Sequence, residues 1–287
     1  SSVVKTIIEH SDKRLAAVVL GCQAEALALC KTARPEYLLG LICAGQNSGH
    51  MIDRLISKTG CTSNETAKKF RFRYSHPAYG SWPGNILIVT DQHRYVLDKS
   101  ERFALKTTCE AYRCLLCYDQ MCTRADIVFG DPWGIEGDHS AGETVMIART
   151  EKGLQLIRDA VLAGYLVVEP LAVEKIMQGE TVDTRHREKV AVAYSVCDIS
   201  KWNYPYSVSP DIRQNFLHVS TKAKRQYLSR LRYTRARCLA KTAAEVTCLE
   251  KAYLKKNRQM TQHQKWTATV KLPLRCARFV LRNLTKG

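Results

Sequence analysis

The chain has 287 residues, 45% of them hydrophobic and 25% charged, ordinary globular values with length for one large domain or two modest ones. No run approaches the roughly 18 apolar residues of a membrane helix, which excludes a transmembrane helix. The net charge of +17 favours an acidic partner, and twelve cysteines without a secretory leader point to metal or redox use in the cytoplasm rather than to disulfides.

Ser1 stands where a Met is expected and the chain runs straight into a strand-like segment, so the expectation is that its own N-terminus is missing. Leu15 to Leu20 is an apolar run suited to a buried parallel strand, and Gly21-Cys22-Gln23 turns it into a helix over 24–32. Tyr37 to Cys43 reads as a second buried strand, followed by a helix over 48–58. Strand–helix–strand–helix order argues for an α/β unit, whose functional residues gather at the carboxyl ends of the strands. Cys22 and Cys43 each fall at such an end.

The pattern then changes. Lys69 to Tyr74 alternates, and Asn85 to Thr90 turns through Asp91-Gln92 into Arg94 to Leu97 as a hairpin. Tyr79-Gly80-Ser81-Trp82-Pro83-Gly84 between them reads as a loop. Ile127 to Phe129 is a short strand ending in a Gly130-Asp131-Pro132-Trp133-Gly134 turn. A strand over 144–148 and a helix over 151–163 follow, and helices then dominate, with a break at Trp202 to Pro205. The fold class is therefore α/β, a mixed or parallel sheet flanked by helices with a helix-rich C-terminal region. The expected division is an α/β domain over 1–195 and a basic helical region over 196–287.

Cys114-Leu115-Leu116-Cys117 is the most informative motif, because Cys-x2-Cys places two thiolates on one metal ion or one edge of an iron–sulfur cluster. Cys109 and Cys122 extend it toward plant-type ferredoxin spacing, yet the bulky spacers leave them equally readable as bystanders. Cys22 and Cys43 compete for the remaining two positions, since adjacent strand ends can face the clip. Cys30, Cys61, Cys197, Cys238, Cys248 and Cys276 are isolated and read as small buried hydrophobes.

With these blocks in view, the chain resembles the coenzyme F420 hydrogenase/dehydrogenase beta-subunit family of flavin- and iron–sulfur-containing oxidoreductases. The resemblance rests on Val18 to Gln23, Leu39 to Cys43, Gly80 to Gly84, Cys114 to Gly134 and Arg149 to Gly153, and covers roughly residues 15–170. Leu20-Gly21-Cys22 departs from the family's Gly-x-Pro-Cys, and an N-terminal ferredoxin-like domain common in the family is not in this sequence. The resemblance implies a [4Fe–4S] cluster on Cys22, Cys43, Cys114 and Cys117 beside a flavin, FAD, with Trp82, Gly84, Gly130 and Asp131 as flavin contacts. For Trp82 the alternative is packing on its own hairpin, and for Asp131 a turn-forming Asp before Pro. Arg71 and Arg73 are candidate phosphate ligands or simply the wet face of a strand, and His76 and His139 are candidate proton donors. No catalytic residue is assigned.

Implied partners are an acidic redox carrier, either ferredoxin or a coenzyme F420-type cofactor acting as substrate, and further oxidoreductase subunits. Two other readings stay open. One is a catalytically silent scaffold subunit of the same fold. The other is a zinc-clipped basic protein binding nucleic acid, which lacks the second ligand pair of a zinc module. The segment Lys271 to Lys286 alternates basic and apolar residues, as in a helix on its own domain or on an anionic membrane.

Overall fold

The computed structural model describes residues 2–10, 12–30, 35–62, 64–78, 80–137, 139, 142–199 and 210–259. The break at Trp202 to Pro205, Cys276 and the segment Lys271 to Lys286 lie outside them. The chain divides into two compact units, Ser1–Ser220 and Thr221–Gly287.

The first unit is built on two sheets. Strands β1 (Ala16–Leu20), β2 (Tyr37–Leu41) and β6 (Ile127–Gly130) run parallel, and β7 (Val145–Ala148) closes the order β1-β2-β6-β7 antiparallel to β6. The second sheet is an antiparallel meander of β3 (Ala67–His76), β4 (Gly80–Thr90) and β5 (Arg94–Leu97). The helices are α1 (Ser2–Glu9), α2 (Gly21–Leu29), α3 (His50–Ile56), α4 (Lys99–Cys109), α5 (Tyr112–Leu116), α6 (Glu151–Leu162), α7 (Val173–Gly179), α8 (Val182–Thr184), α9 (Ala191–Ile199) and α10 (Pro210–His218). A π-helical turn, Arg185–Val190, joins α8 to α9. Mixed sheets flanked by helices, with helices following, are the α/β class expected.

The apolar run in β1 is not buried on both faces. Val19 is buried at 1% exposure while Val18 stands 57% exposed, because successive side chains alternate across the sheet and the Val19 face packs against α1 and α2. Its inner face joins Ile7 of α1, Ala24 and Leu27 of α2, and Cys122, Ala125 and Val128 in one core. A second core forms under the meander from Met51 and Leu55 of α3, Ile86 and Ile88 of β4, and Leu105 and Cys109 of α4.

Two boundaries differ from the sequence reading. Helix α2 starts at Gly21, with Gln23 Oε1 accepting from the Leu20 N–H at 2.8 Å, so Cys22 sits in its first turn. The expected Gly80–Gly84 loop is the first half of β4. Gly84 adopts φ +72, and a methyl group there would lie 3.0 Å from the Arg73 carbonyl carbon. Glycine thus lets β4 press on β3 through the register shifts between Arg71 and His76.

The second unit contains α11 (Thr221–Leu239) and a helical stretch over 243–259. Tyr233 and Tyr253 stack at 4.4 Å between them, with the Arg237 guanidinium over the Tyr233 ring at 5.7 Å.

Candidate functional site

Strand register brings the first two cysteines to one place. Leu20 of β1 pairs with Leu41 of β2, so Cys22 and Cys43 each lie two residues beyond neighbouring strand ends. The clip comes to meet them: Cys114 is on the one-turn helix α5 and Cys117 is its C-cap residue. An Asn47–Glu110 bridge and the Ala111 N–H donating to the Gln46 carbonyl at 2.8 Å fasten the loop after β2 to the start of α5. The Gln46 N–H then donates to Cys114 Sγ at 3.3 Å, and its side-chain amide reaches Cys43 Sγ at 3.7 Å. On the other side, a methyl group at Gly21 would lie 2.6 Å from the Asp119 carbonyl oxygen, so the start of α2 presses on the chain just after Cys117. An Arg124–Glu25 ion pair at 2.8 Å holds that packing.

Burial pushes the Cys114 thiol above its ordinary value; the Gln46 N–H opposes this, and Cys43, Glu110 and Cys117 add to it. Burial likewise raises Cys117, eased by hydrogen bonding at Asp119 and by the Arg185 charge, and increased by Cys22. Cys22 and Cys43 thus lie just beyond neighbouring strand ends, and Gln46 reaches both Cys43 and Cys114. Among the described residues no three His, Cys, Asp or Glu side chains converge as the shell of a single metal ion. Cys109 and Cys122 are elsewhere: both are fully buried, Cys109 in the core under the meander and Cys122 in the core beneath β1, its thiol pushed up to about 12 by burial.

The proposed flavin contacts gather around the end of β6. Asp131 forms an ion pair with Arg73 of β3 at 2.6 Å, which ties the two sheets together and holds the Arg73 guanidinium charged. Trp82 packs on Trp133 at 4.5 Å and edge-on to His139 at 5.7 Å, and Phe103 meets Trp133 at 6.5 Å. The Trp82 indole N–H is buried without a hydrogen-bond partner among the described residues. A side chain at Gly130 would strike Ile42, so that glycine has a packing role at the strand end. His139 bonds the Ile135 carbonyl at 2.8 Å, while His76 lies at the end of β3 and accepts the Ala78 N–H at 3.1 Å.

A short polar path runs from Cys43 to Glu180. The Cys43 N–H donates to the Gln120 carbonyl at 2.9 Å, and the Gln120 side-chain amide donates to the Glu180 carbonyl at 2.7 Å. Glu180 is 9% exposed; burial raises its carboxyl, and Asp131 raises it further. Gln46, Gln120, Glu180 and Arg185 escape a reading by motif, because each is a single polar residue placed by tertiary packing. Arg102, 5.0 Å over the Phe103 ring, adds a second guanidinium beside Arg73, its own charge disfavoured by burial and by Arg73.

The fold and site thus define an α/β protein with two cysteines just beyond neighbouring strand ends and an aromatic group beyond a third. The family that comprises the C-terminal part of the coenzyme F420 hydrogenase/dehydrogenase beta subunit matches residues 12–174, more than half of the chain, and the chain belongs to that family of oxidoreductase subunits. Among solved structures it is similar to a chain of the F420-reducing [NiFe] hydrogenase complex from Methanosarcina barkeri, studied by xenon derivatization, at 15% identity and TM-score 0.47, covering 71% of each chain. No curated protein matches.

Proposed function

We propose that this chain is an iron–sulfur flavoprotein subunit. It passes electrons between a flavin, a [4Fe–4S] cluster on Cys22, Cys43, Cys114 and Cys117, and an organic redox carrier, F420-like or ferredoxin-linked. The supporting observation is geometric: Cys22 and Cys43 lie two residues beyond neighbouring strand ends, and Gln46 donates to both the Cys114 and the Cys43 sulfur. Four sulfur donors without a nitrogen ligand suit an iron–sulfur cluster, and family membership favours that over zinc.

The flavin would be FAD, held within the 1–195 domain. The orphaned Trp82 indole N–H is a donor awaiting an acceptor, and such a buried group calls for an explanation. Arg73 and Arg102 suit a phosphate. Gly84, Gly130 and Asp131 border the same region. A flavin converts a hydride into two single electrons. The chain's own part is to present the Trp82 indole N–H, keep Arg73 in place through Asp131, and direct the Gln46 N–H at the Cys114 sulfur.

Anaerobic purification with assays of iron, sulfide, zinc and flavin tests this reading. About four irons per chain are expected, with one flavin. Cys114→Ser and Cys117→Ser should each lose most of the iron; unchanged iron in either, or zinc alone in the parent protein, overturns the proposal.

A further inference from the structure

Arg185 is an arginine in an unusual position. It is 5% exposed, and it opens the π-helical turn that packs on α5, outside the residues matched by the family. Its Nη2 donates to the carbonyls of Cys114 at 3.2 Å and Cys117 at 3.3 Å, and its Nη1 to the Ala44 carbonyl, beside Cys43, at 3.4 Å. None of these acceptors is a carboxylate, and among the described residues the buried Nε has no hydrogen-bond partner. A buried cation satisfied only by carbonyls is costly unless a negative group lies nearby. Two acidic groups also face the clip, Glu110 toward Cys114 and Asp119 toward Cys117. His186 is held toward its neutral form by burial and by Arg185.

We infer that Arg185 is the fixed counter-charge of the cysteine site, seated across its three surrounding carbonyls to favour loading of the cluster and to raise its reduction potential. The inference rests on the iron–sulfur reading above. A thiolate-bound cluster is negative and gains one more negative charge when it takes an electron. A permanent cation at hydrogen-bond distance from its ligand residues therefore stabilises the reduced form more than the oxidised form.

The test is an EPR-monitored redox titration with dithionite of the anaerobically reconstituted full chain, beside Arg185→Lys, Arg185→Met and Arg185→Gln, with iron assayed in each. The expected result is a midpoint more negative in R185M and R185Q by at least a tenfold change in the one-electron equilibrium, about 59 mV, with R185K near the parent. If R185M and R185Q fail to load while R185K loads, the counter-charge is likewise supported. Full iron with an unmoved midpoint in R185M or R185Q overturns it, as does failure of R185K together with the neutral variants, which would mark fork geometry rather than charge. A parent chain that takes up no cluster refutes the iron–sulfur reading instead.

Discussion

Glu65 is a carboxylate whose surroundings leave its side chain 2% exposed. It accepts from Thr90 Oγ1 at 2.7 Å, from the Tyr95 hydroxyl at 2.9 Å and from the Thr62 N–H at 3.2 Å, and His93 lies 3.2 Å away. These donors, Thr90 first and then Tyr95, hold its carboxyl down to about 2 from an ordinary 4.5. Because the folded value lies below the unfolded one, the stabilisation is complete above pH 4.5 and is lost as pH falls through about 2. Thermal melts of Glu65→Gln against the parent should therefore differ most at neutral pH and converge across that acid window. Curves that stay parallel from neutral pH downward would show that Glu65 does not fasten the meander. At the same scale, the clip was legible because a Cys-x2-Cys pair is a local signal, and Cys22 and Cys43 because strand ends can be read from apolar runs. Cys109 and Cys122 had matching spacing but lie in apolar cores, and no spacing rule reports which face a residue turns inward.

At the level of elements, the Asp126-to-Gly153 connection explains why two of the sequence blocks travel together. Asp126 accepts from the Leu38 N–H at 2.9 Å and from Thr150 Oγ1 at 2.8 Å, and pairs with Lys152 at 3.1 Å. Thr150 caps α6 by accepting the Gly153 N–H at 3.1 Å. A methyl group at residue 153 would collide with the Asp126 carbonyl oxygen and stand 2.8 Å from its carbon. Gly153→Ala gains about 1 kcal/mol of helix propensity but forces α6 off β6, an overpacking cost of roughly 1–3 kcal/mol. The backbone clash should win. A lower denaturation midpoint for G153A with iron content unchanged is the expected outcome; a more stable variant would mean the helix shifts without cost. The strands and α6 could be read from periodicity, since their patterns are local. The first half of β4 could not, because its glycines and proline signal a loop, and only pairing with β3 makes it a strand. Arg185 was equally invisible, set by a π-helical turn far along the chain from the cysteines whose carbonyls it binds.

At the scale of the whole molecule, the proposed site and the densest positive charge separate along the chain. Cys22, Cys43, Cys114, Cys117, Trp82, Asp131 and Arg185 all fall in Ser1–Ser220, whereas Thr221–Gly287 is dense in Lys and Arg, from Lys222 and Lys224 to Arg282 and Lys286. No described helix is long and apolar enough to cross a membrane. A field of one sign raises encounter rates with an oppositely charged partner by about 10- to 1000-fold and fades as salt screens it. Removing residues 221–287 should therefore leave iron and flavin content unchanged. It should also slow reduction by an acidic ferredoxin at low ionic strength by about tenfold or more, with the two proteins converging at high salt. Stopped-flow rates across a salt series give the answer. Loss of cofactor from the shortened chain would place part of the cofactor site in the second unit, and coincident salt profiles would remove the steering role and leave the basic charge to another acidic surface.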